Sequence, residues 1–452
     1  MSNEATGPSL EMDGLVSLCK RRGFVFPSSE IYGGFESTWD YGPLGAELKQ
    51  NVKRAWWRAM VQERDDMVGI DASILMSPRV WEASGHTSHF TDALVECKGC
   101  HHRFRADELS HHRPTEGVAS ASDVCPDCGG ELTAPRQFNT MFKTFVGPVE
   151  DEAAVAYLRP ETAQGIFVNF DNVLTTTRRK LPFGIAQQGK SFRNEITTGN
   201  FLFRTREFEQ MEMEYFVRPG ADGEWYDYWR QERLNWYVRF GARRDHLRLR
   251  EYDPAELAHY SSGTTDVEFL YPMGWAELEG IAKRTDYDLR RHAEASGRRL
   301  EYFDEESGEH IVPWVVEPAV GVDRCILVFL LDAYVEEEVR GEKRSLLRLH
   351  PALAPVKVAI LPLSRNEKLV PTARHVWELL RSQFMTQYDD AQSIGRRYRR
   401  QDEIGTPLCV TVDFDTLEDQ AVTIRERDTM EQLRVPIANL VPALRERLPD
   451  VG

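Results

Sequence analysis

The fold of this chain is decided by residues 192–216, whose sequence is FRNEITTGNFLFRTREFEQMEMEYF. The alternation of polar and apolar residues predicts two antiparallel strands joined by a loop around residues 197–200. On the first strand, Arg193 and Glu195 are predicted to share one face. On the second strand, one face is predicted to carry Arg206, Phe208, Gln210, Glu212 and Glu214. The other face is predicted to pack on the core with Met211, Met213 and Tyr215.

One hairpin therefore offers arginines, carboxylates and an aromatic ring on one side. This combination can hold a nucleoside triphosphate beside a small zwitterion. The alternative is a surface hairpin with many salt bridges, and in isolation such a pattern is more often of that kind. The other polar segments of the chain favour a binding site.

The composition limits the class of protein. A chain of 452 residues predicts about three domains, and its hydrophobic fraction of 41% suffices for a large core. The formal net charge of -16 argues against a generally basic nucleic-acid binder, so an RNA partner would need local basic patches. The sequence contains no run of about eighteen apolar residues, and its first twenty residues lack an apolar signal region. We therefore expect a cytoplasmic protein without a membrane anchor.

Four cysteines form two CxxC pairs, Cys97 with Cys100 and Cys125 with Cys128. In a reducing compartment, this spacing indicates a structural zinc site with four thiolates rather than disulfides. Two alternatives are four unrelated free cysteines and a redox-active pair, and no βαβ pattern surrounds the pairs to support the second. The segment is rich in Pro, Gly, Ser and His, so we predict a small insertion held together by the metal.

A second polar stretch is LRPETAQGIF, residues 158–167. Glu161 follows a proline at a predicted helix start, where its carboxylate could bind an ammonium group. The alternative is an acidic residue that only stabilises the helix N-terminus through the helix dipole.

A third stretch is VVEPAVGVDR, residues 315–324. A strand is predicted to end at Glu317 and Pro318, and a helix with apolar residues at helical spacing is predicted to begin near Gly321. Arg324 then lies in the first helical turn, where a positive charge is unfavourable against the dipole. A functional role would explain it; the alternative is a surface arginine paired with an acid such as Asp323.

Three further segments are predicted around these stretches. Residues 44–64 form a long helix whose apolar stripe belongs to the core or to a subunit interface. Residues 70–76 form a strand that Pro78 terminates. Residues 275–280 place Glu277 and Glu279 at strand spacing.

One motif is misleading. Residues 184–191, GIAQQGKS, match the phosphate-binding pattern GxxxxGKS letter for letter. That pattern requires a helix directly after it, so that the helix N-terminus can bind phosphate. Here an alternating strand follows, and we interpret the match as a coincidence.

The composition changes after residues 340–348, which are predicted to form a charged linker. Strands and helices alternate beyond it, which predicts a small α/β domain with a mixed sheet. This part of the chain contains the basic run Arg396, Arg397, Arg399 and Arg400. Such a run with a tyrosine inside could bind RNA by stacking and charge neutralisation. The alternative, a solvated helix face, is the commoner outcome for a lone run.

Together these segments resemble the dimeric class II glycyl-tRNA synthetases, essentially from end to end. Residues 71–78 with the preceding helix resemble motif 1, residues 192–212 resemble motif 2, and residues 317–324 resemble motif 3. Arg159-Pro-Glu161 resembles the glycine-pocket segment of the family. The HIGH and KMSKS signatures of class I synthetases do not occur in the sequence.

The resemblance implies an α+β fold. A class II catalytic domain, an antiparallel sheet flanked by helices, would span residues 1–350 and contain a zinc-binding insertion at residues 95–137. A C-terminal α/β anticodon-binding domain would span residues 355–452. The implied activity is that of a glycine–tRNA ligase, which activates glycine with ATP to glycyl-adenylate and transfers it to the 3′ end of tRNA(Gly). The family also implies a homodimer, Mg²⁺ with the ATP and a structural Zn²⁺.

The family also implies roles for individual residues. Arg193 would hold the α-phosphate of ATP and the glycine carboxylate, and Glu195 would accept a hydrogen bond from the adenine amino group. Arg204 would hold the γ-phosphate, and Phe208 and Arg324 would stack on opposite faces of the adenine. The catalytic residues implied are Arg193, Glu195 and Arg324.

Glu277, with Leu278, would lie at the ATP and its Mg²⁺. The complete ATP site implied by the family is Arg193, Asn194, Glu195, Phe203, Arg204, Thr205, Arg206, Glu207, Phe208, Glu277, Leu278, Gly321, Val322, Asp323 and Arg324.

Three carboxylates would surround the glycine ammonium group, those of Glu161, Glu212 and Glu317. The complete glycine site implied by the family is Arg105, Glu161, Phe208, Glu209, Gln210, Met211, Glu212, Glu317, Pro318, Ala319, Val320 and Gly321. The family commonly has Ser at the position of Ala319, so one hydroxyl of the pocket is missing here. A small pocket excludes larger amino acids by steric contact, and no editing domain is expected.

Two alternatives remain at this level. A non-catalytic paralogue that binds nucleic acid would have degenerate motifs, whereas Arg193, Glu195, Arg204, Glu317 and Arg324 are all present. A class IIa enzyme for threonine, proline or histidine is disfavoured by the small, carboxylate-rich pocket.

Overall fold

The computed structural model of the protein describes residues 12–106, 109, 124–197, 199–339 and 341–448. Its strands, numbered in chain order, are β1 (Val25–Pro27), β2 (Trp39–Tyr41), β3 (Met67–Ile70), β4 (Thr91–Glu96), β5 (Arg103–Arg105), β6 (Arg136–Asn139), β7 (Lys143–Phe145), β8 (Val155–Tyr157), β9 (Phe183–Phe192), β10 (Glu207–Val217), β11 (Leu247–Glu251), β12 (Gly263–Tyr271), β13 (Gly274–Thr285), β14 (Tyr302–Asp304), β15 (Glu309–Ile311), β16 (Trp314–Gly321), β17 (Tyr334–Val339), β18 (Glu342–Leu347), β19 (Val358–Pro362), β20 (Thr386–Tyr388), β21 (Leu408–Val412), β22 (Ala421–Glu426) and β23 (Gln432–Pro436).

The α-helices of these residues are α1 (Met12–Arg22), α2 (Pro43–Trp57), α3 (Pro78–Ala83), α4 (His86–His89), α5 (Ala163–Phe167), α6 (Phe170–Thr177), α7 (Asp222–Arg239), α8 (Tyr287–Ser296), α9 (Val322–Ala333), α10 (Leu369–Leu380), α11 (Ile394–Glu403), α12 (Thr416–Asp419) and α13 (Leu440–Arg447). A π-helical turn, Arg58–Gln62, continues α2 and keeps Met60 buried on its apolar stripe.

A seven-stranded sheet forms the centre of the fold, with the strand order β11-β12-β13-β16-β10-β9-β3. Adjacent strands of this sheet are antiparallel, except that β3 runs parallel to β9. Helices α2, α7 and α9 cover one face, where Met211, Met213 and Tyr215 enter the main core as predicted. Helices α5, α6 and α8 pack over a second apolar cluster on the other face. The predicted antiparallel sheet flanked by helices is therefore confirmed.

The predicted hairpin is formed by β9 and β10, but its first strand lies earlier in the chain. β9 ends at Phe192, so Arg193 and Glu195 belong to the connection and do not share a strand face. The chain leaves the sheet here because the Asn194 amide donates to the Thr140 carbonyl at 2.7 Å. Residues 184–191 lie inside β9, which confirms that the phosphate-loop match is a coincidence.

The predicted strand at residues 70–76 is wrong, because the strand is β3 and ends at Ile70. The Arg159 guanidinium donates to the Ala72 carbonyl at 2.7 Å. A side chain from far along the chain thus occupies a carbonyl that a neighbouring strand would bond in a sheet. Pro78 begins α3 at its first position rather than ending a strand, which its fixed φ and missing N–H favour.

The predicted linker at residues 340–348 is also wrong, since β17 and β18 form an antiparallel hairpin there. Arg344 on β18 is buried and donates to Asp402 at 2.9 Å and to Glu337 at 2.6 Å. The hairpin is thereby tied to α11 in the C-terminal part of the chain.

The C-terminal part contains a five-stranded sheet in the order β20-β19-β21-β22-β23. β19 is parallel to β20 and β21, and the remaining pairs are antiparallel, which confirms the predicted mixed sheet. Helices α10 and α13 pack on one apolar cluster of this sheet, and α11 packs on a second.

The cysteine-rich segment is built on a three-stranded sheet, β5-β4-β6. Cys97 and Cys125 are buried with Val95 and Leu132 in a small cluster of their own. Of the helices that the structure describes, none combines the length and the apolar character needed to span a membrane.

Candidate active site

A cavity of about 330 Å³ lies on the face of the central sheet opposite the main core. Its floor is a row of residues that sit directly opposite one another on four neighbouring strands: Glu212 on β10, Ala319 on β16, Gly280 on β13 and Asp266 on β12. Side chains at opposed positions of adjacent strands point to the same face. Because the two central members are Ala and Gly, the row leaves open space between two carboxyl groups.

The next row continues this pattern, with Glu317 on β16 opposite Ala282 on β13, and Ala282 opposite Thr264 on β12. Carboxyl groups therefore gather at the β10 and β16 side of the cavity. Glu161, in the turn before α5, completes this side.

Each of these buried carboxyl groups has a different partner. Glu161 lies 3.3 Å from His86, and Glu317 lies 2.5 Å from Arg284. Glu212 accepts hydrogen bonds from the Thr162 amide at 3.0 Å and from the Thr162 hydroxyl. These contacts hold the carboxylates in fixed positions around the cavity.

The electrostatics of the three acids differ accordingly. Burial raises the pKa of Glu161, but His86 and Arg284 outweigh burial and hold that pKa below its usual range. Burial and the neighbouring Glu317 and Glu161 raise the pKa of Glu212 well above its usual value. Burial also raises the pKa of Glu317, although Arg284 acts against it. A positive ligand group would stabilise the ionised forms of Glu212 and Glu317.

Arginines dominate the other end of the cavity. Arg193 donates to the Pro160 carbonyl at 3.1 Å, and its guanidinium lies 5.4 Å from the ring centres of both Phe90 and Phe208. Arg204 lines the same end. Burial raises the pKa of Glu195, although Arg193 and Arg204 lower it in part.

Arg324 joins this positive end. Its guanidinium stacks on the Phe203 ring at 4.6 Å and pairs with Glu277 at 3.0 Å. The Arg324 charge holds the pKa of Glu277 below its usual value. Burial and the charge of Glu277 raise the pKa of Asp266 to about 7.

Glu277 and Glu279 lie on opposite faces of β13, although their spacing of two residues on a strand predicts a common face. The pairing of β12 and β13 shifts between Val267 and Glu268, so β13 carries an extra residue at Leu278. Glu277 therefore reaches the cavity, whereas Glu279 pairs with Arg233 of α7 at 2.7 Å on the opposite face.

The structure brings most of the predicted ATP and glycine residues into this single cavity. Those that line it are Glu161, Arg193, Glu195, Phe203, Arg204, Thr205, Phe208, Gln210, Glu212, Glu277, Glu317, Ala319, Val320, Gly321, Asp323 and Arg324.

The remaining predicted residues do not line the cavity in the described part of the chain, and their roles stay predictions. Strand alternation explains the β10 members: Met211 enters the core, and Glu209 pairs with Lys49 and Lys53 of α2 at 2.8 and 2.6 Å. Glu207 pairs with Lys190 at the surface. The others outside the cavity are Arg105, Asn194, Arg206, Leu278, Pro318 and Val322.

Three of these residues have well-defined environments outside the cavity. Leu278 and Val322 are buried in the main core. Arg206 donates to the Glu36 carbonyl at 2.9 Å. Asn194 and Arg206 instead line a neighbouring cavity of about 700 Å³ between the connection and the cysteine-rich segment.

Several lining residues were not predicted. Tyr252, Glu256, Ala258, Tyr260, Thr264, Asp266, Gly280 and Ala282 line the cavity. Arg284 lies behind it and stacks on the Tyr260 ring at 4.1 Å. Period-two alternation on β12 and β13 could have indicated which of these residues face the cavity, but sequence alone does not show that β13 pairs with β16.

The four cysteine sulfurs lie within 4.8 Å of one another. The Cys97 to Cys128 and Cys100 to Cys125 sulfur distances are 3.4 and 3.6 Å. A tetrahedral zinc site with bonds of about 2.3 Å would separate its sulfurs by about 3.8 Å. The Cys100 and Gly99 amides donate to the Cys97 sulfur and lower the pKa of its thiol to about 6. The donor set and its spacing therefore fit a zinc ion.

The basic run lies on α11, and its members have different surroundings. Arg396 is exposed. Arg397 is fully buried, and it donates to the Pro362 carbonyl at 2.5 Å and the Asp389 carbonyl at 3.0 Å. Arg400 pairs with Asp389 at 2.6 Å, and Arg399 lies 3.5 Å from Glu342. The predicted phosphate contact by Arg397 is thus corrected, because its guanidinium is occupied inside the domain.

Comparison with known proteins places these features in context. The family model described as the tRNA synthetase class II core domain (G, H, P, S and T) matches residues 145–333. The model described as the anticodon binding domain matches residues 357–447.

Curated relatives match nearly the full chain. The glycine–tRNA ligase of Thermobifida fusca is 58% identical over 454 residues, covering 97% of this chain and 98% of the relative. The glycine–tRNA ligase of Streptomyces coelicolor is 57% identical with the same coverage. That of Treponema denticola is 53% identical and covers 98% of each chain.

A solved structure agrees at the level of the fold. The prolyl-tRNA synthetase of Cryptosporidium parvum, crystallised with halofuginone and AMPPNP, aligns with a TM-score of 0.65 over 99% of this chain and 77% of that chain. The two sequences are 16% identical, so this likeness concerns the fold alone.

Proposed function

The chain belongs to the glycine–tRNA ligase family of class II aminoacyl-tRNA synthetases, and we propose that the cavity on its central sheet binds glycine and ATP side by side. The chain activates glycine with ATP to glycyl-adenylate and transfers the glycyl group to the 3′ end of tRNA(Gly). The observation that supports the proposed site is the division of one cavity into a carboxylate end and an arginine end.

The carboxylate end is proposed to hold glycine. Glu161, Glu212 and Glu317 can accept hydrogen bonds from the three N–H groups of the ammonium ion. Ala319 and Gly280 form a floor without protruding side chains, and the surrounding carboxyl groups are proposed to exclude a larger substrate side chain by steric contact. Exclusion by steric contact is a strong means of selection, so no editing step is needed.

The arginine end is proposed to hold ATP. The carboxylate of glycine must attack the α-phosphorus, so two anions approach each other. Arg193, whose Nε donates to the Pro160 carbonyl next to Glu161, is proposed to pair with both anions, while Arg204 and Arg324 are proposed to bind the phosphates and the adenine. Preorganised positive groups of this kind stabilise the charge that develops in the transition state.

Glu277 and Asp266 fit the Mg²⁺ that class II enzymes use with ATP, because both place carboxylate oxygens at the ATP end and oxygen ligands suit this ion. When bound, Mg²⁺ neutralises phosphate charge. The protein residues orient the reactants: the attack by a glycine carboxylate oxygen releases pyrophosphate, and attack by a terminal ribose hydroxyl of tRNA on the glycyl carbonyl then releases AMP. Neither step needs a covalent enzyme intermediate.

The cysteine cluster is proposed to hold one structural zinc ion. Protein purified without chelator should contain about one zinc per chain by elemental analysis. Cys125→Ser should lose the metal, whereas Cys409→Ser, which changes a buried cysteine outside the cluster, should retain it. A wild-type protein with four titratable thiols in the cluster and no zinc would contradict the assignment.

The C-terminal domain is proposed to bind the anticodon arm of the tRNA. We propose a boundary between residues 350 and 355, since the five-stranded sheet begins at Val358 and the anticodon-domain match begins at residue 357. Arg396, Arg399 and Arg400 remain the proposed phosphate contacts of α11, although Arg400 also pairs with Asp389. A homodimer and a cytoplasmic location are proposed on the family resemblance.

A panel of amino acids in an ATP–pyrophosphate exchange assay tests the function. Glycine should support exchange, and alanine, serine, threonine, proline and histidine should not. Exchange with proline, threonine or histidine would support the alternative class IIa enzymes. The absence of exchange with every amino acid would support a non-catalytic paralogue.

A further inference from the structure

Glu214 is a buried carboxyl group to which the family resemblance assigns no role in the site. It lies on β10 two residues after Glu212, on the same face of the strand, and its exposed fraction is 0%. Among the described residues, neither of its carboxyl oxygens has a hydrogen-bond partner. Carboxyl oxygens of Glu212, Glu214 and Glu317 all lie within 4.8 Å of one another.

The charges around Glu214 cannot all be present together. Glu212 on the same strand, Glu317 on β16, Asp288 on α8 and Glu161 before α5 are acidic. Arg284 on β13 is a cation within the cluster, and His86 lies 3.3 Å from Glu161. A buried ion without a partner is strongly unfavourable, so such a group takes up or releases a proton instead. At least one carboxyl group of this cluster should therefore be neutral in the absence of substrate.

The contacts of the three closest acids indicate which one is neutral. Glu317 has the Arg284 guanidinium at 2.5 Å, and Glu212 accepts two hydrogen bonds from Thr162. Both arrangements stabilise an anion. Glu214 has neither a cation in contact nor a donor, so its ionised form has the least support.

We propose that Glu214 carries a proton in the working enzyme and acts as a neutral positioning residue behind the ammonium site. This inference rests on the proposed glycine site. With Glu214 neutral, the negative charges of Glu212 and Glu317 are not opposed by a third charge at close range, and both can ionise to bind the ammonium group. Glu214 thus sets how many charges face the substrate without touching it.

Two isosteric variants distinguish this role from direct binding. Glutamine has the shape of a protonated glutamate and no charge, so Glu214→Gln should keep KM for glycine and kcat in the exchange assay within about twofold of wild type. Glu212→Gln removes a charged acceptor of the ammonium group and should raise KM for glycine by about tenfold or more. An equal rise of KM in Glu214→Gln would overturn the proposal, and so would a Glu214→Gln protein that fails to fold.

A spectroscopic measurement tests the proton itself. The infrared difference spectrum between wild type and Glu214→Gln at neutral pH should contain the carbonyl stretch of a protonated carboxyl group in the wild type. A carboxylate band in its place would overturn the proposal. This readout does not depend on turnover, so it is separate from the amino-acid panel: failure of the panel concerns the proposed function, and failure of the spectrum concerns Glu214.

Discussion

The cavity on the central sheet and the helix α11 both contain several arginines. The two groups differ in whether their guanidinium groups are available to a ligand. Arg193 has one hydrogen bond to a backbone carbonyl, at Pro160, and its guanidinium otherwise lies between two aromatic rings at the cavity. Arg397 has no exposed surface and donates to the carbonyls of Pro362, Leu363 and Asp389. An arginine is thus available to a ligand only when the protein's own carbonyls do not already occupy its donors.

The largest expected effect concerns the cavity. Arg193→Ala should reduce glycine-dependent ATP–pyrophosphate exchange by about a thousandfold, because it removes a preorganised charge from the meeting point of two anions. Urea unfolding should show a folded protein, since among the described residues the Arg193 side chain makes one hydrogen bond, from Nε to the Pro160 carbonyl. The matched control is Arg399→Ala on α11, for which exchange should equal that of wild type.

Wild-type exchange in Arg193→Ala would remove the distinction between the two regions. It would show that Arg193 does not serve the activation reaction.

The second effect concerns stability. Arg397→Ala should lower the free energy of unfolding by about 2 to 4 kcal/mol, because three carbonyl groups lose their donor in and around a buried site. Urea unfolding measures this, with the exposed Arg396→Ala as the control that should change by less than about 0.5 kcal/mol. If Arg397→Ala has the stability of wild type and binds tRNA more weakly, Arg397 is a phosphate contact after all.

The difference between these arginines also shows what the sequence can predict. The sequence predicted which side chains of β10 are buried, because apolar and polar residues alternate along a strand with one buried face. Met211, Met213 and Tyr215 enter the main core as expected. The spacing of Cys97, Cys100, Cys125 and Cys128 predicted that their four sulfurs come together, and they do, while the zinc ion stays a proposal.

Two of the failures come from a partner far away in sequence, and a third comes from a bulge within a hairpin. Arg159 takes the backbone carbonyl of Ala72, and a strand predicted at residues 70–76 does not form. An extra residue at Leu278 turns Glu277 and Glu279 to opposite faces. Arg344 meets Asp402, and a predicted linker is a hairpin buried against α11.

The site was predicted in the same uneven way. Motif residues such as Arg193 and Glu317 could be assigned because the family motifs contain them. Asp266 and Tyr260 could not, since sheet pairing and a loop bring them to the cavity from a part of the chain that lies outside the three motifs.

The smallest expected effect concerns Arg396, which is exposed, and Arg399, which is partly exposed, on α11. Because the protein has a formal net charge of -16, tRNA binding must depend on local positive groups. Each phosphate contact releases counterions, so Arg396→Ala should reduce the slope of log Kd against log salt concentration by about one, and Arg399→Ala should do the same. Deleting the whole domain is a poorer experiment than these substitutions, because the cut at residues 340–348 would break the buried pair of Arg344 and Asp402.

The measurement is tRNA binding over a series of salt concentrations, with glycine activation measured in parallel. Activation should stay at the wild-type level in both variants, since no residue of α11 lines the cavity. Arg434→Ala is the matched control, because Asp413 and Asp419 already neutralise that surface arginine at 2.9 and 2.7 Å, and its salt slope should equal that of wild type. If Arg396→Ala and Arg399→Ala also leave the slope unchanged, α11 is a solvated helix face and the tRNA contacts lie elsewhere on the molecule.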